Sequence, residues 1–297
     1  MATDRDREFL KQMAAAARPM TSVDELRSVL ATFTPMMNQN LPEVGAFHEN
    51  VDLRPGLQAD VAVPKGDGPF PVVVYLHGGG WVAGSPKSHQ KLGMQFAEAG
   101  YVCINVDYRL APEHPFPAGF DDCVFAIKWA SENAKRWNGN ASRLAVGGDS
   151  AGGNLTAASL SSLAAENYAG PKPRAALLIY GVYDMGATLA RSGNEASLEM
   201  MLKAYAANGY PALLDDPRLS PLKAIRAGTL PPSFVICGTA DTLLPESKNI
   251  SEAFERSDIR YEVHLLDERP HGFLQMGILS GCDEGLKLMF DFLRRTV

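Results

Sequence analysis

The chain has 297 residues, 46% of them hydrophobic and 21% charged, which suits one large α/β domain with additions or two small domains, with ample length for a sizeable core. Its formal net charge is −6 and its Lys and Arg residues form no block, so nucleic acid is not an expected partner. No apolar run approaches membrane-spanning length, and the charged start from Met1 to Glu8 leads into no apolar secretory core, so a cytoplasmic location is expected.

In chain order, residues 1–43 read as amphipathic helical pieces broken at Pro19, Pro35 and Pro42, with Thr21-Ser22-Val23-Asp24-Glu25 a natural helix start. They read either as a docking arm or as part of a cap over a pocket. Strand-like runs at 47–53 and 57–63 flank the turn Arg54-Pro55-Gly56, which predicts an antiparallel pair. Pro71-Val72-Val73-Val74-Tyr75-Leu76 is almost continuously apolar, as expected of a strand buried on both faces of a parallel sheet. Further strands are expected at 101–106, 143–147, 175–180, 233–237 and 260–266, with helices at 87–99, 119–136, 150–166, 246–256 and 283–295. Alternating strands and helices predict an α/β open sheet of about eight strands. Residues 184–231 interrupt the alternation with several prolines, one helical piece near 195–207 and no good strand. They read as an insertion at the carboxyl edge of the sheet, where such proteins keep their sites.

Cys103, Cys123, Cys237 and Cys282 are far apart and lack C-x-x-C spacing, so they are expected to be buried free thiols in a reducing compartment. No H-E-x-x-H occurs, which leaves a zinc hydrolase without support. Two glycine-rich turns remain. Gly148-Asp149-Ser150-Ala151-Gly152 is a G-x-S-x-G pattern lying between an expected strand and an expected helix. A nucleophile on so sharp a turn needs neighbours without Cβ atoms, and the helix start offers free N–H groups to a developing oxyanion. His77-Gly78-Gly79-Gly80-Trp81 follows the strand at 72–76. It lacks the lysine of a phosphate-binding loop, since Ser85 stands in that place, so an oxyanion hole built from the N–H groups of Gly78, Gly79 and Ala151 is the functional reading.

A serine nucleophile needs a base and the base an orienting acid. Of His48, His77, His89, His114, His264 and His271, only His271 lies in a loop just past a late strand, at the carboxyl edge. Asp241 follows the strand at 233–237 and precedes His271 by 30 positions, room for one helix and one strand. Asp184 and Asp267 are the runners-up. Trp81 and Phe273 adjoin the site and are expected to line the pocket, with Met200, Met201 and Leu202 contributing from the insertion; each would serve equally as cap core.

The motifs HGGGW at 77–81, DYRLAPEHPFPA at 107–118, GDSAGG at 148–153, Asp241-Thr242-Leu243 and His271-Gly272-Phe273 run in family order, and the sequence resembles the hormone-sensitive-lipase-like (family IV) esterases of the α/β-hydrolase superfamily. The resemblance implies an α/β-hydrolase fold with an N-terminal cap; residues 1–43 are expected to form the cap arm and 44–297 the catalytic domain, within which 184–231 is a cap insertion. It implies carboxylic-ester hydrolysis with Ser150 as nucleophile, His271 as base and Asp241 as its orienter, on short- to medium-chain acyl esters. It also implies pairing of two copies through the last strand. The family's usual Asp-Pro-Leu-Arg-Asp-Glu is here Asp241-Thr242-Leu243-Leu244-Pro245-Glu246, which removes side chains that would brace the acid. Tyr108 to Glu113 read as an internal brace near the glycine loop. Nothing in this chemistry calls for a metal or cofactor. The same triad would serve amides, lactones or carbamates, and a non-catalytic small-molecule-binding protein on this fold is the rival from another class.

Overall fold

Val72, Val74 and Leu76 face one side of a sheet, Val73 and Tyr75 the other, and all five are fully buried. An apolar residue at every position is what a strand with helices on both faces requires. A computed structural model of the chain describes residues 19–191, 196–277 and 279–297. Most of the helical arm expected before Pro19, including Met13, and residues 192–195 of the expected insertion lie outside the described residues.

The strands are β1 (Ala46–Arg54), β2 (Leu57–Val63), β3 (Phe70–Leu76), β4 (Val102–Asp107), β5 (Gly139–Asp149), β6 (Ala175–Ile179), β7 (Ser233–Gly238) and β8 (Tyr261–Leu266). They form one eight-stranded sheet in the order β1-β2-β4-β3-β5-β6-β7-β8. β2 pairs antiparallel with β1 and β4, and every other neighbour is parallel. The described helices are α1 (Val23–Met37), α2 (Gln90–Glu98), α3 (Ala118–Asn133), α4 (Ala151–Ala165), α5 (Met185–Arg191), α6 (Ala196–Ala206), α7 (Leu244–Arg256) and α8 (Ser280–Thr296).

One core lies between the sheet and α3, α4 and α7, through residues such as Ile127, Leu155 and Ile250; the other lies between the sheet and α2 and α8, through Phe96, Met289 and Phe292. In α8, Leu286, Met289, Phe292 and Leu293 are buried at helical spacing while Lys287 and Arg294 point outward. This is the α/β-hydrolase arrangement, mostly parallel, with helices on both faces.

The 184–231 segment contains α5, α6 and three single-turn helices, and no strand among its described residues. α1 starts where expected: Ser22 Oγ accepts the Glu25 N–H at 3.2 Å. It does not break at Pro35. The proline falls in the last turn, so the one i→i−4 bond it forfeits interrupts no later turn of the helix, and the Asn38 N–H closes that turn on Thr34 O at 3.1 Å.

Candidate active site

β5 ends at Asp149 and α4 begins at Ala151, which leaves Ser150 alone on the turn with φ 54° and ψ −117°. A residue with a Cβ pays on the order of 1–3 kcal/mol for such a conformation, so the surroundings must impose it. They do: a Cβ at Gly148 would collide with Gly152 O and Leu76 O, and one at Gly152 with Leu76 O. The Ser150 N–H is tied to Ile179 O of β6 at 2.9 Å.

The loops after β7 and β8 bring two more groups to this turn. His271 Nε2 lies 3.0 Å from Ser150 Oγ, and His271 Nδ1 lies 2.8 Å from Asp241 Oδ2. Asp241 is buried, and its other oxygen accepts the Leu243 N–H at 2.8 Å. The His271 side chain remains 40% exposed, so the serine–histidine pair is open to a ligand. Burial lowers the pKa of His271, but the Asp241 charge and hydrogen bond outweigh it and raise the net value above that of an ordinary imidazole. The runner-up acids face elsewhere. Asp184 Oδ1 accepts the Ala187 N–H at 2.9 Å at the start of α5, and Asp267 Oδ1 accepts from Thr239 Oγ1 at 3.2 Å. The other histidines stay apart: His48 packs on Trp137, His264 on Phe234, and His114 is exposed. His77 is buried and stacked on Tyr108, and burial pushes its pKa down to about 3.

The glycine loop corrects one expectation. The Gly78 N–H already donates to Asp149 Oδ1 at 3.0 Å, so it is not a free donor. A Cβ at Gly78 would collide with Asp149 Oδ2, which explains why glycine is needed there. Gly79 and Gly80 have φ of 127° and 63°, and neither their N–H groups nor that of Ala151 has an acceptor among the described residues. The pocket-lining expectation also changes. Trp81, Phe273 and Leu202 are 2%, 0% and 1% exposed, so all three belong to the core rather than to a reachable wall. Trp81 stacks on Tyr205 of α6 at 5.2 Å and donates to Asn154 Oδ1 at 3.3 Å; Phe273 packs under Tyr180. Their nearness in sequence to the glycines and to His271 places the backbone at the site and turns the side chains inward. Met201 does reach it, since its Sδ occupies the space into which a Cβ on Gly80 would project.

A family model described as an alpha/beta hydrolase fold matches residues 73–275. An ethyl acetate hydrolase from Pseudomonas putida is 34% identical over 231 residues, 75% of this chain and 72% of that protein. Carboxylesterase NlhH of Mycobacterium tuberculosis is 34% identical over 221 residues, 71% of this chain and 68% of the relative. The chain belongs to the hormone-sensitive-lipase-like family of α/β-hydrolase carboxylesterases. Among solved structures, a hyperthermophilic esterase from Pyrobaculum calidifontis superposes with a TM-score of 0.88 at 27% identity, covering 99% of this chain and 98% of the other. An esterase of the bacterial hormone-sensitive lipase family gives a TM-score of 0.83 at 29% identity over 100% and 99% of the two chains.

After Asp241 the chain continues Thr242-Leu243-Leu244-Pro245-Glu246, and backbone and buried groups hold this turn in place. Pro245 sits in the first turn of α7, where its missing N–H has no partner to lose, and Leu243 supplies the backbone donor to Asp241. Glu246 is retained, fully buried, accepting the N–H groups of Tyr183 and Asp184 at 2.7 Å each and pairing with Arg191 of α5. The 108–113 stretch is the expected brace. Tyr108 OH donates to His77 O at 2.7 Å, and Arg109 donates twice to buried Asp122 from its side chain. Glu113 reaches outward to Arg27 of α1, whose Nε also donates to Val82 O at 2.8 Å.

Sequence reasoning assigned no role to Tyr180, a buried residue at φ 34° whose ring meets His271 edge-on at 5.0 Å. A positive φ at a bulky residue has no sequence signature. It missed Asn154 as well, whose Nδ2 holds both Val182 O at 2.8 Å and Leu219 O at 2.7 Å beneath Trp81.

Proposed function

We propose that this esterase-family chain hydrolyses short- to medium-chain carboxylic esters through an acyl-enzyme on Ser150, with His271 as general base and then general acid and Asp241 as its orienter. The observation that carries this is the continuous relay from Ser150 Oγ to His271 at 3.0 Å and from His271 to Asp241 at 2.8 Å, with each group held at the end of a parallel strand. His271 takes the Ser150 proton as Oγ attacks the ester carbonyl, then returns it to the leaving alcohol; water repeats the cycle on the acyl-enzyme. The Gly79, Gly80 and Ala151 N–H groups are the oxyanion donors in this scheme, each worth about 3–4 kcal/mol of transition-state stabilisation. Gly78 anchors the loop.

Residues 1–43 and 184–231 make the cap over a catalytic domain of 44–297. Supporting this, the Met20 N–H donates to Ser197 Oγ at 2.9 Å, linking the two cap segments, and Met201 lies against Gly80. A thioether seated against the glycine loop bounds the space beside the serine, which favours small acyl groups, and ethyl acetate is the substrate named for the Pseudomonas putida relative. Two copies pair along β8, the free sheet edge on which Val263 and Leu265 are 40% and 39% exposed; Leu265→Lys then shifts the mass by light scattering from dimer to monomer, and a monomeric wild type would refute the pairing. A cytoplasmic setting completes the proposal, supported by four free buried cysteines, and cell fractionation checks it. No helix among the described residues is long and apolar enough to cross a membrane.

The deciding experiment is turnover of p-nitrophenyl esters from acetate to palmitate by wild type and Ser150→Ala. Fast hydrolysis of the short esters, lost in the variant, is expected. A rate maximum at palmitate would overturn the chain-length assignment, and equal rates in both proteins would overturn Ser150 as nucleophile.

A further inference from the structure

Behind the nucleophile a single buried carboxylate gathers donors from several segments. Asp149, 3% exposed, immediately precedes Ser150. Its Oδ1 accepts Tyr75 OH of β3 at 2.8 Å and the Gly78 N–H of the glycine loop at 3.0 Å, and His89 Nε2 lies 3.1 Å from the same oxygen. Its Oδ2 accepts from Gln275 Nε2 at 2.5 Å. Gln275 lies four residues beyond His271, in the same loop. The nucleophile turn, the glycine loop and the histidine loop therefore meet at one buried side chain.

We propose that Asp149 and Gln275 are positioning residues, a buried carboxylate–amide clamp that holds the glycine loop and the His271 loop in register with Ser150. The proposal rests on the reading of Ser150 and His271 as the reacting pair. Its physical basis is geometric. Attack and oxyanion capture both depend on placement within a fraction of an ångström, and loops hold such placement only when they are tied to something rigid. Asp149 is rigid: it ends a central strand, and burial, which alone would raise its pKa, is outweighed by the His89 and Tyr75 contacts that lower it, so it stays a charged acceptor.

Gln275 suits its place because an amide nitrogen has two N–H groups. The second faces His89 Nε2 at 2.5 Å. A methionine at 275 keeps the length and loses both donors. A glutamate there faces the Asp149 carboxylate and repels it. Pairing Gln275→Glu with Asp149→Asn reverses the polarity of the bond and restores it.

The test uses full-length wild type, Gln275→Met, Asp149→Asn and the double variant Asp149→Asn/Gln275→Glu. Four quantities are measured: kcat and KM on p-nitrophenyl butyrate, the rate of Ser150 phosphonylation by a fluorophosphonate probe, and the thermal midpoint. Gln275→Met and Asp149→Asn are expected to lower kcat and the phosphonylation rate by about ten- to a hundredfold. KM is expected to stay within about twofold, since the clamp makes no ground-state contact with substrate. The double variant recovers most of the Asp149→Asn loss. Should Asp149→Asn fail to fold, Gln275→Met decides alone, because its site is a half-buried loop. Wild-type kcat and probe reactivity in Gln275→Met, or a double variant no better than Asp149→Asn, would overturn the clamp. A wild type inert to both ester and probe would overturn the esterase reading, and the clamp with it.

Discussion

Asp241 divides its carboxylate between His271 and its own turn: Oδ2 faces His271 Nδ1 at 2.8 Å, and Oδ1 takes the Leu243 N–H at 2.8 Å. The acid is thus fixed by a backbone donor of its own turn. Asp241→Asn keeps the shape but presents an amide donor or a neutral oxygen to the ring, which loses its orientation and its preferred tautomer. The expected loss in kcat is roughly 10³- to 10⁴-fold. Asp184→Asn, whose carboxylate only caps α5, is expected to stay within about threefold of wild type, as changes away from the reacting groups do. Steady-state kinetics on p-nitrophenyl butyrate checks both, and a larger loss in the Asp184 variant would reassign the acid.

The pH profile follows from the direction of the His271 shift. The imidazole works as a base only when unprotonated, and its pKa is raised because the Asp241 charge and hydrogen bond outweigh burial. It therefore holds its proton to higher pH, and the acid limb of kcat/KM is expected above the value of about 6.5 for a free imidazole. Removing the charge in Asp241→Asn moves the limb of the residual activity downward. A wild-type limb below about pH 6, with the protein still folded, would contradict the assignment.

Ser150 stores backbone strain, and the strain is measurable. Ser150→Ala removes the nucleophile and keeps the Cβ at φ 54°, whereas Ser150→Gly removes both. Relief of 1–3 kcal/mol, less the entropy glycine adds to the unfolded chain, leaves Ser150→Gly about 1 kcal/mol more stable than Ser150→Ala. Urea titrations of the two inactive variants read the difference directly.

Arg27 latches α1 onto the catalytic domain. Its guanidinium donates to Val82 O, Ala111 O and both Glu113 oxygens, so one side chain spans the glycine loop and the 108–113 brace. The Glu113 pair is exposed and adds little by itself; the buried carbonyl bonds matter more. Arg27→Ala is expected to cost on the order of 1 kcal/mol and to speed limited proteolysis within 1–43. Arg27→Lys does not restore protection, because one ammonium cannot match the guanidinium fork.

The sheet was legible because its chemistry is local. Continuous apolar runs such as 72–76 require burial on both faces, and glycines at 148 and 152 require a turn too tight for side chains. The relay residues were legible because each lies within five residues of the end of a strand. The pocket was not. Trp81 and Phe273 lie beside the site in sequence and Leu202 lies in the insertion, yet rotamer and packing turn all three into the core, and neither has a signature along the chain. Gly78 was misassigned for a related reason: its N–H is captured by Asp149, 71 residues away, a partner only the folded sheet supplies. The Gln275–Asp149 and Arg27–Val82 bonds span 126 and 55 residues and are invisible in the same way.

The separations within the relay carry a consequence for how the site is born. Asp241 and His271 are 30 residues apart and belong to adjacent strands joined by one helix, whereas Ser150 is 121 residues from His271. Loop-closure entropy favours the nearer pairing first, so the acid–base half can assemble within a β7–α7–β8 unit while the serine waits for β5, β6 and β7 to align. Recovery of esterase activity on refolding from urea then tracks completion of the central sheet, and lags helix formation seen by circular dichroism.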